Sequence, residues 1–203
     1  MASGGRSRHA LNIVERPLPK IKAEIPTVSL SAMTYLLSEL IQYAIEKASS
    51  TNELEDRLDR VGFDAGARLL ELVSWRERVM KRKPEVLDML RFIQGTVWPQ
   101  LFGKTAEELQ QGAAADDEYM IKDHELLLNR YTSLPRSYAG FNPGGALVAG
   151  IVRGMMETAG FPCLVTAHFS DHPTRPKPIT TILIKLDQVV MKRQQQLEAG
   201  RRG

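Results

Sequence analysis

Cysteine is almost absent, with Cys163 the only one in 203 residues. One thiol excludes an internal disulfide framework and a cysteine-rich metal cluster, and it fits a reducing compartment. Long apolar runs are missing as well; the uninterrupted ones last only a few residues, far short of the ~20 that a spanning helix needs. No basic-then-apolar segment opens the chain, so no export signal is expected. Met1-Ala2-Ser3 is not a myristoylation start, and no prenylation cysteine stands near the end. Aromatic residues make up only 6%, which gives little support to a base-stacking, nucleic-acid-binding surface.

The remaining composition is that of a globular chain. Charged residues are 25% and the apolar set 43%, which excludes collagen-like, mucin-like and wholly disordered classes. The length suits one domain of ordinary size. The net charge of +3 is unevenly spread: residues 1–26 carry five basic and two acidic side chains, and residues 192–203 carry four and one. The body between them is net acidic. A nucleic-acid module usually holds its basic stripe on the folded surface. Basic arms instead suit an anionic membrane surface or an acidic neighbour, or act as solvated tails. The expected organisation is a basic extension over 1–26, one α+β domain over 27–198, and a basic tail over 199–203.

Pro17, Pro19 and Pro26 among Lys and Arg mark an extended lead-in. From Thr27 the pattern turns helical. Met33, Leu36, Leu37, Leu40, Ile41, Ala44, Ile45 and Ala48 recur at three and four residues. Ser50 and Glu53 have capping-box spacing and open a second helix with Leu54, Leu58 and Val61, which Gly62 is expected to bend or end. A third stretch follows with Ala65, Leu69, Leu72 and Val73. Pro84 suits the first position of another helix, and Pro99 is expected to kink or end it. Residues 103–118 read as a loop. Tyr119–Lys122 and Leu127–Ser133 read as two short strands around Asp123-His124-Glu125. Asn142 and Pro143 start a helix that Gly160 stops. Leu164–Phe169 and Ile179–Leu186 read as strands, and Asp187 caps a last helix. The order is helices, two strands, helix, two strands, helix. It predicts an α+β fold with helices on one face of a four-stranded antiparallel sheet.

Catalytic signals are weak. Gly103-Lys104-Thr105 lacks the earlier glycine and the preceding strand of a phosphate loop. The start of the 143–159 helix offers backbone amides to an anion, but Gly144 and Gly145 there suit close packing against the sheet better. His168 and His172 stand four apart, yet His172 lies in a proline-rich loop and a third ligand is missing. Cys163 alternates with Val165, Ala167 and Phe169 and reads as a buried, inert thiol. Gly62 with Gly66, and Gly150 with Gly154, have small-xxx-small spacing, which beside Asp64, Arg68 and Arg153 reads as close helix packing. No catalytic residue, cofactor or metal is expected. The first helix is the more telling element. Its adjacent pairs Leu36-Leu37, Leu40-Ile41 and Ala44-Ile45 make a stripe wide enough for both a core and a partner, although a core alone accounts for it equally well.

Five stretches together resemble the small α/β subunits of the transport protein particle, TRAPP, the Bet-three-like family. They are Val28–Ala32 with Ser38-Glu39-Leu40; Leu58–Leu69; Val97-Trp98 with Leu101–Lys104; Ala149–Val152; and Gly160-Phe161-Pro162 with Val165–His168. They span about residues 27–195. The resemblance implies a non-enzymatic subunit of a vesicle-tethering complex that supports Rab guanine-nucleotide exchange in ER-to-Golgi and Golgi traffic. It implies side-by-side pairing through the first helix, here Met33, Leu36, Leu37, Leu40, Ile41, Ala44 and Ile45. The implied partners are an acylated Bet-three-type paralogue, a sedlin-type subunit at another face, and a Rab GTPase through the complex, with no nucleic acid. The implied location is cytoplasmic, peripheral at Golgi and endoplasmic reticulum membranes. Lys20, Lys22, Lys81, Arg82, Lys83, Lys192 and Arg193 are the expected contacts to a membrane or acidic partner. The paralogue's acyl-bearing cysteine falls in a region matching about Leu72–Val86, which has no cysteine here, so the acyl group is not carried over. A stand-alone ligand-binding α+β domain is one alternative, and a nucleic-acid module using a helix-backed sheet, which the acidic body charge disfavours, is the other.

Overall fold

The computed structural model describes residues 28–77, 84–112, 115–138, 140–170 and 178–202. The first helix, α1, spans Leu30–Lys47, and the Ser29 hydroxyl accepts from the Ala32 amide at 3.1 Å to cap it. Helix α2 spans Thr51–Arg76 without a break. Its Ser50 hydroxyl accepts from the Glu53 amide at 3.2 Å. The Glu53 carboxylate reaches back one residue further than a standard capping box, to the Ser49 amide at 2.9 Å and the Ser49 hydroxyl at 2.7 Å.

Contrary to the expectation from sequence, Gly62 neither bends nor ends this helix. Its role is contact with α5, the helix Pro143–Thr158. A Cβ at Gly62 would fall closer than 3.0 Å to the Leu147 carbonyl oxygen, and one at Gly66 would do the same to Ile151. The relation is reciprocal: Cβ atoms at Gly150 and Gly154 would strike the carbonyls of Asp59 and Phe63. Four glycines thus let two backbones touch, as the paired spacing predicts. Beside this crossing, Arg153 of α5 donates through Nε to Asp59 Oδ1 at 3.3 Å and through Nη1 to Glu157 at 3.2 Å. Its guanidinium lies 4.4 Å from the Phe63 ring centre.

Helix α3, Val86–Phe92, starts two residues after Pro84. It passes through a π-helical turn, Ile93–Val97, into α4, Trp98–Phe102. Pro99 therefore does not end the helix. The wider turn just upstream takes up the disruption of a residue without an amide hydrogen. Gly103 ends α4 at φ 76°, where a side chain would be strained.

The sheet order is β1-β2-β4-β3, all antiparallel. Strands β1 (Glu108–Gln111) and β2 (Glu118–Asp123) form the first hairpin. This corrects the expectation of a loop over 103–118 and a strand over 127–133. Glu108–Gln111 has little intrinsic β preference and becomes a strand by pairing, with Glu108 opposite Lys122. Leu126 and Leu128 alternate like a strand but bury from a 3₁₀ turn, Leu127–Asn129. Strands β3 (Cys163–Ser170) and β4 (Ile179–Leu186) match their expected places. One sheet face, with Ile121, Val165, Ile182 and Ile184, is buried in the core beside Met155, Met156 and Trp98. The opposite face carries Leu164 and the surface pairs Lys122–Glu108 at 3.4 Å and Lys185–Glu118 at 3.0 Å. The last helix, α6, spans Gln188–Arg202, and Asp187 Oδ1 caps it by accepting from the Val189 amide at 2.9 Å.

Candidate partner surfaces

Helix α1 divides its apolar stripe between two environments. At about 100° per residue, Leu37, Ile41 and Ala44 share one arc of about 60°. All three are buried in the core. Met33, Leu36, Leu40 and Tyr43 fall on the neighbouring arc, about 80° wide. Leu36 is 65% exposed and Tyr43 59%, Met33 is also exposed, and Leu40 is half-buried. Ile45 packs half-buried on the far side of the core arc. The seven stripe residues therefore serve different surfaces, three the core and the others its borders. Tyr43 is missed by the sequence reading, although it lies seven residues after Leu36 and three after Leu40, which is the spacing that signals one helical face. Tyr35 is exposed on another side of α1, where it joins Leu30, Ser31, Thr34 and Tyr131 around an apolar hollow of about 310 Å³. Val61 and Trp75 of α2 are exposed too.

Of the basic residues expected to face a membrane or acidic partner, Lys20, Lys22, Lys81, Arg82 and Lys83 lie outside the described residues. Lys192 is exposed on α6. Arg193 is turned inward: its Nη1 donates to the Gly160 carbonyl at 2.9 Å, and its guanidinium sits 4.7 Å from the Phe161 ring centre.

The remaining chemical candidates are held by local structure. Lys104 is engaged by Asp123 at 2.6 Å and Glu107 at 2.9 Å. Burial works against its charge, yet those two carboxylates hold its pKa above the ordinary lysine value. At the start of α5, the Gly145 amide donates to Asn142 Oδ1 at 2.8 Å and the Gly144 amide to Asn129 Oδ1 at 3.1 Å. Asn129 Nδ2 also donates to Asn142 Oδ1 at 2.7 Å. Both amides an anion would use are thus taken by side chains. His168 Nε2 lies 2.8 Å from the Thr166 hydroxyl, while His172 lies outside the described residues. Burial first, and then the Glu157 charge, push the Cys163 thiol up to about 12. Among the described residues no three His, Cys, Asp or Glu side chains converge as metal ligands, and no helix is long and apolar enough to cross a membrane.

A helix pair backs a four-stranded antiparallel sheet, and an apolar flank of α1 lies at the border of the core. The same fold occurs in a crystal structure of a trafficking protein particle complex subunit 3 from Naegleria fowleri covalently bound to palmitic acid. The TM-score is 0.64 at 17% identity, covering 78% of this chain and 95% of that one. Residues 33–187 match the family model described as "Transport protein particle (TRAPP) component", and the chain belongs to that family. Among its relatives is trafficking protein particle complex subunit 5 of Dictyostelium discoideum, 43% identical over 92% of this chain and 98% of that protein. The human subunit 5 is 37% identical over 92% of this chain and 93% of its own length. Subunit 31 of Saccharomyces cerevisiae is 27% identical over 82% of this chain and 78% of its own.

Proposed function

We propose that this chain is a structural subunit of a vesicle-tethering TRAPP complex, holding the place that subunit 5 holds in its relatives. The observation that carries this reading is the α1 flank, where Met33, Leu36 and Tyr43 are exposed beside the half-buried Leu40. Exposed apolar side chains at one helical spacing suit a partner helix, and such an interface normally exceeds about 1,000 Å² with an apolar centre. The partner on this flank is the acylated Bet-three-type paralogue, with a sedlin-type subunit at another face. The assembled complex then supports Rab guanine-nucleotide exchange at Golgi and endoplasmic reticulum membranes, and this chain contributes scaffold rather than catalysis. Lys192, with the basic residues of the N-terminal extension and the 81–83 cluster, faces the membrane or an acidic neighbour. Each contributes at most about 1 kcal/mol near an anionic surface, so only the group is effective.

Affinity purification of the tagged full-length chain from its own cells, with identification of the co-purified proteins, tests the reading. Other TRAPP subunits in stoichiometric amount are expected. A chain that elutes alone as a monomer contradicts it and returns attention to a stand-alone ligand-binding domain. Against that alternative, Trp98, Met155, Met156, Ile182 and Ile184 fill the space where a sheet–helix pocket would lie.

A further inference from the structure

Among the described residues the sheet order leaves the outer side of β3 without a neighbouring strand, while all eight residues from Cys163 to Ser170 keep unbroken register with β4 on the inner side. Alternate residues of an antiparallel strand direct their N–H and C=O groups to opposite sides, so about half of the eight present both groups outward. Natural edge strands are usually blunted by proline, lysine, a bulge or a covering element. Between Cys163 and Ser170 there is no proline, lysine or bulge. Beside the edge runs a groove. It consists of two adjoining hollows of about 680 and 480 Å³. Cys163–Thr166 line the first and Ala167–Phe169 the second, and Glu55 of α2 lines both.

The wall opposite the strand is acidic. Around the first hollow stand Glu55, Asp56, Asp59 and Glu157, with Arg153 the one guanidinium among them. Arg153 already pairs with Asp59 and Glu157. The carboxylates of Glu55 and Asp56 have no hydrogen bond or ion pair among the described residues; the partial burial of Glu55, opposed by His168 and reinforced by the charges of Asp56 and Asp59, raises its pKa. A half-buried carboxylate without an ion pair is costly and is relieved by one.

We propose that the groove between β3 and α2 receives an extended, lysine- or arginine-bearing segment of a partner polypeptide, added to the sheet as a fifth strand. Outward backbone groups recur every second residue, about 6.7 Å along the strand, a period that an extended main chain matches and a compact small molecule does not. Basic side chains of the added strand meet Glu55 and Asp56, and alternate apolar ones cover Leu164 on the open sheet face. The surface is separate from the α1 flank, so either can fail without the other.

The test uses the full chain and an acetylated seven-residue peptide of alternating lysine and valine. Its glutamate–valine counterpart and a copy N-methylated throughout serve as controls. The lysine peptide is expected to bind at least about tenfold more tightly than the glutamate one. It should slow hydrogen exchange at the outward β3 amides, and the methylated copy, lacking donors, should not bind. The double variant Glu55→Lys/Asp56→Lys reverses the charge preference while leaving β3 intact, and Leu36→Glu binds the peptide as the unmodified chain does. Equal affinity for the two charge types, retained binding by the methylated copy, or unchanged β3 exchange overturns the proposal. So does binding that appears only after removal of residues 1–26, which would make the chain's own extension the occupant.

Discussion

Trp98 donates its indole Nε1 hydrogen to Asp123 Oδ2 across 2.9 Å, tying α4 to the last residue of β2. Both residues are almost wholly buried. The second Asp123 oxygen accepts from Lys104 at 2.6 Å and from the Glu125 amide at 3.0 Å. One carboxylate therefore closes the helix end, the strand end and the following turn. Asp123→Ala leaves a buried indole donor without an acceptor and is expected to cost about 3 kcal/mol. Asp123→Asn keeps an acceptor for Trp98 and should cost less. Urea unfolding of the two variants checks this ordering; equal losses would count against the hydrogen bond.

The α2–α5 crossing predicts a sharp contrast between glycines. Gly66→Ala drives a methyl into the Ile151 carbonyl and is expected to cost about 3 kcal/mol or more, because backbone rather than a side chain must move. Gly95 lies in the π-helical turn, and nothing stands within 4 Å of the place a methyl would take there. Gly95→Ala should therefore change stability by less than about 1 kcal/mol. Thermal melts of both variants distinguish local packing from a general intolerance of substitution.

Acid sensitivity is expected at the start of α2. The Ser49 amide and hydroxyl, and then Arg57, lower the Glu53 pKa from 4.5 to about 2. A carboxylate whose folded pKa is depressed stabilises the fold above its unfolded pKa and loses that contribution as pH falls through the folded value. The window is therefore about pH 4.5 down to about 2. Glu53→Gln should flatten the stability–pH curve in that window and leave its shape above about pH 5 unchanged. An unaltered acid limb would contradict the assignment.

Cys163 should be slow to react. With its pKa pushed up to about 12, the thiolate is scarce at about pH 8. Alkylation of the native chain by iodoacetamide is expected to run at least about a hundredfold slower than that of the unfolded chain. Comparable rates would show that the thiol is more accessible than its burial implies.

Much of this fold is legible in the sequence because its signals are local. The α1 stripe, the Ser50 cap, the Asn142-Pro143 start and the β3–β4 pattern each lie within a short window of sequence. The glycine spacings foretell a close helix crossing, but Gly62 looks like a helix end because its contact, the Leu147 carbonyl, is distant in sequence. The first hairpin is misplaced for the same reason: Glu108–Gln111 is a strand only because Tyr119–Lys122 lies beside it. The division of Leu36 from Leu37 requires a structure, since periodicity places both on one broad stripe. The inward turn of Arg193 also escapes the sequence, where it reads as one more basic residue near the chain's end.

The most direct test of the central claim is the mass of the co-expressed pair of this chain and an acylated Bet-three-type paralogue, measured by native mass spectrometry with and without the double variant Leu36→Glu/Tyr43→Glu. Both positions are exposed, so the variant should fold with an unchanged melting temperature. The unmodified chain should form a one-to-one heterodimer, and the variant should weaken it by at least about a hundredfold, since two charges would be buried at an apolar centre. A heterodimer that persists undiminished in the variant would contradict the assignment of the α1 flank as the assembly surface.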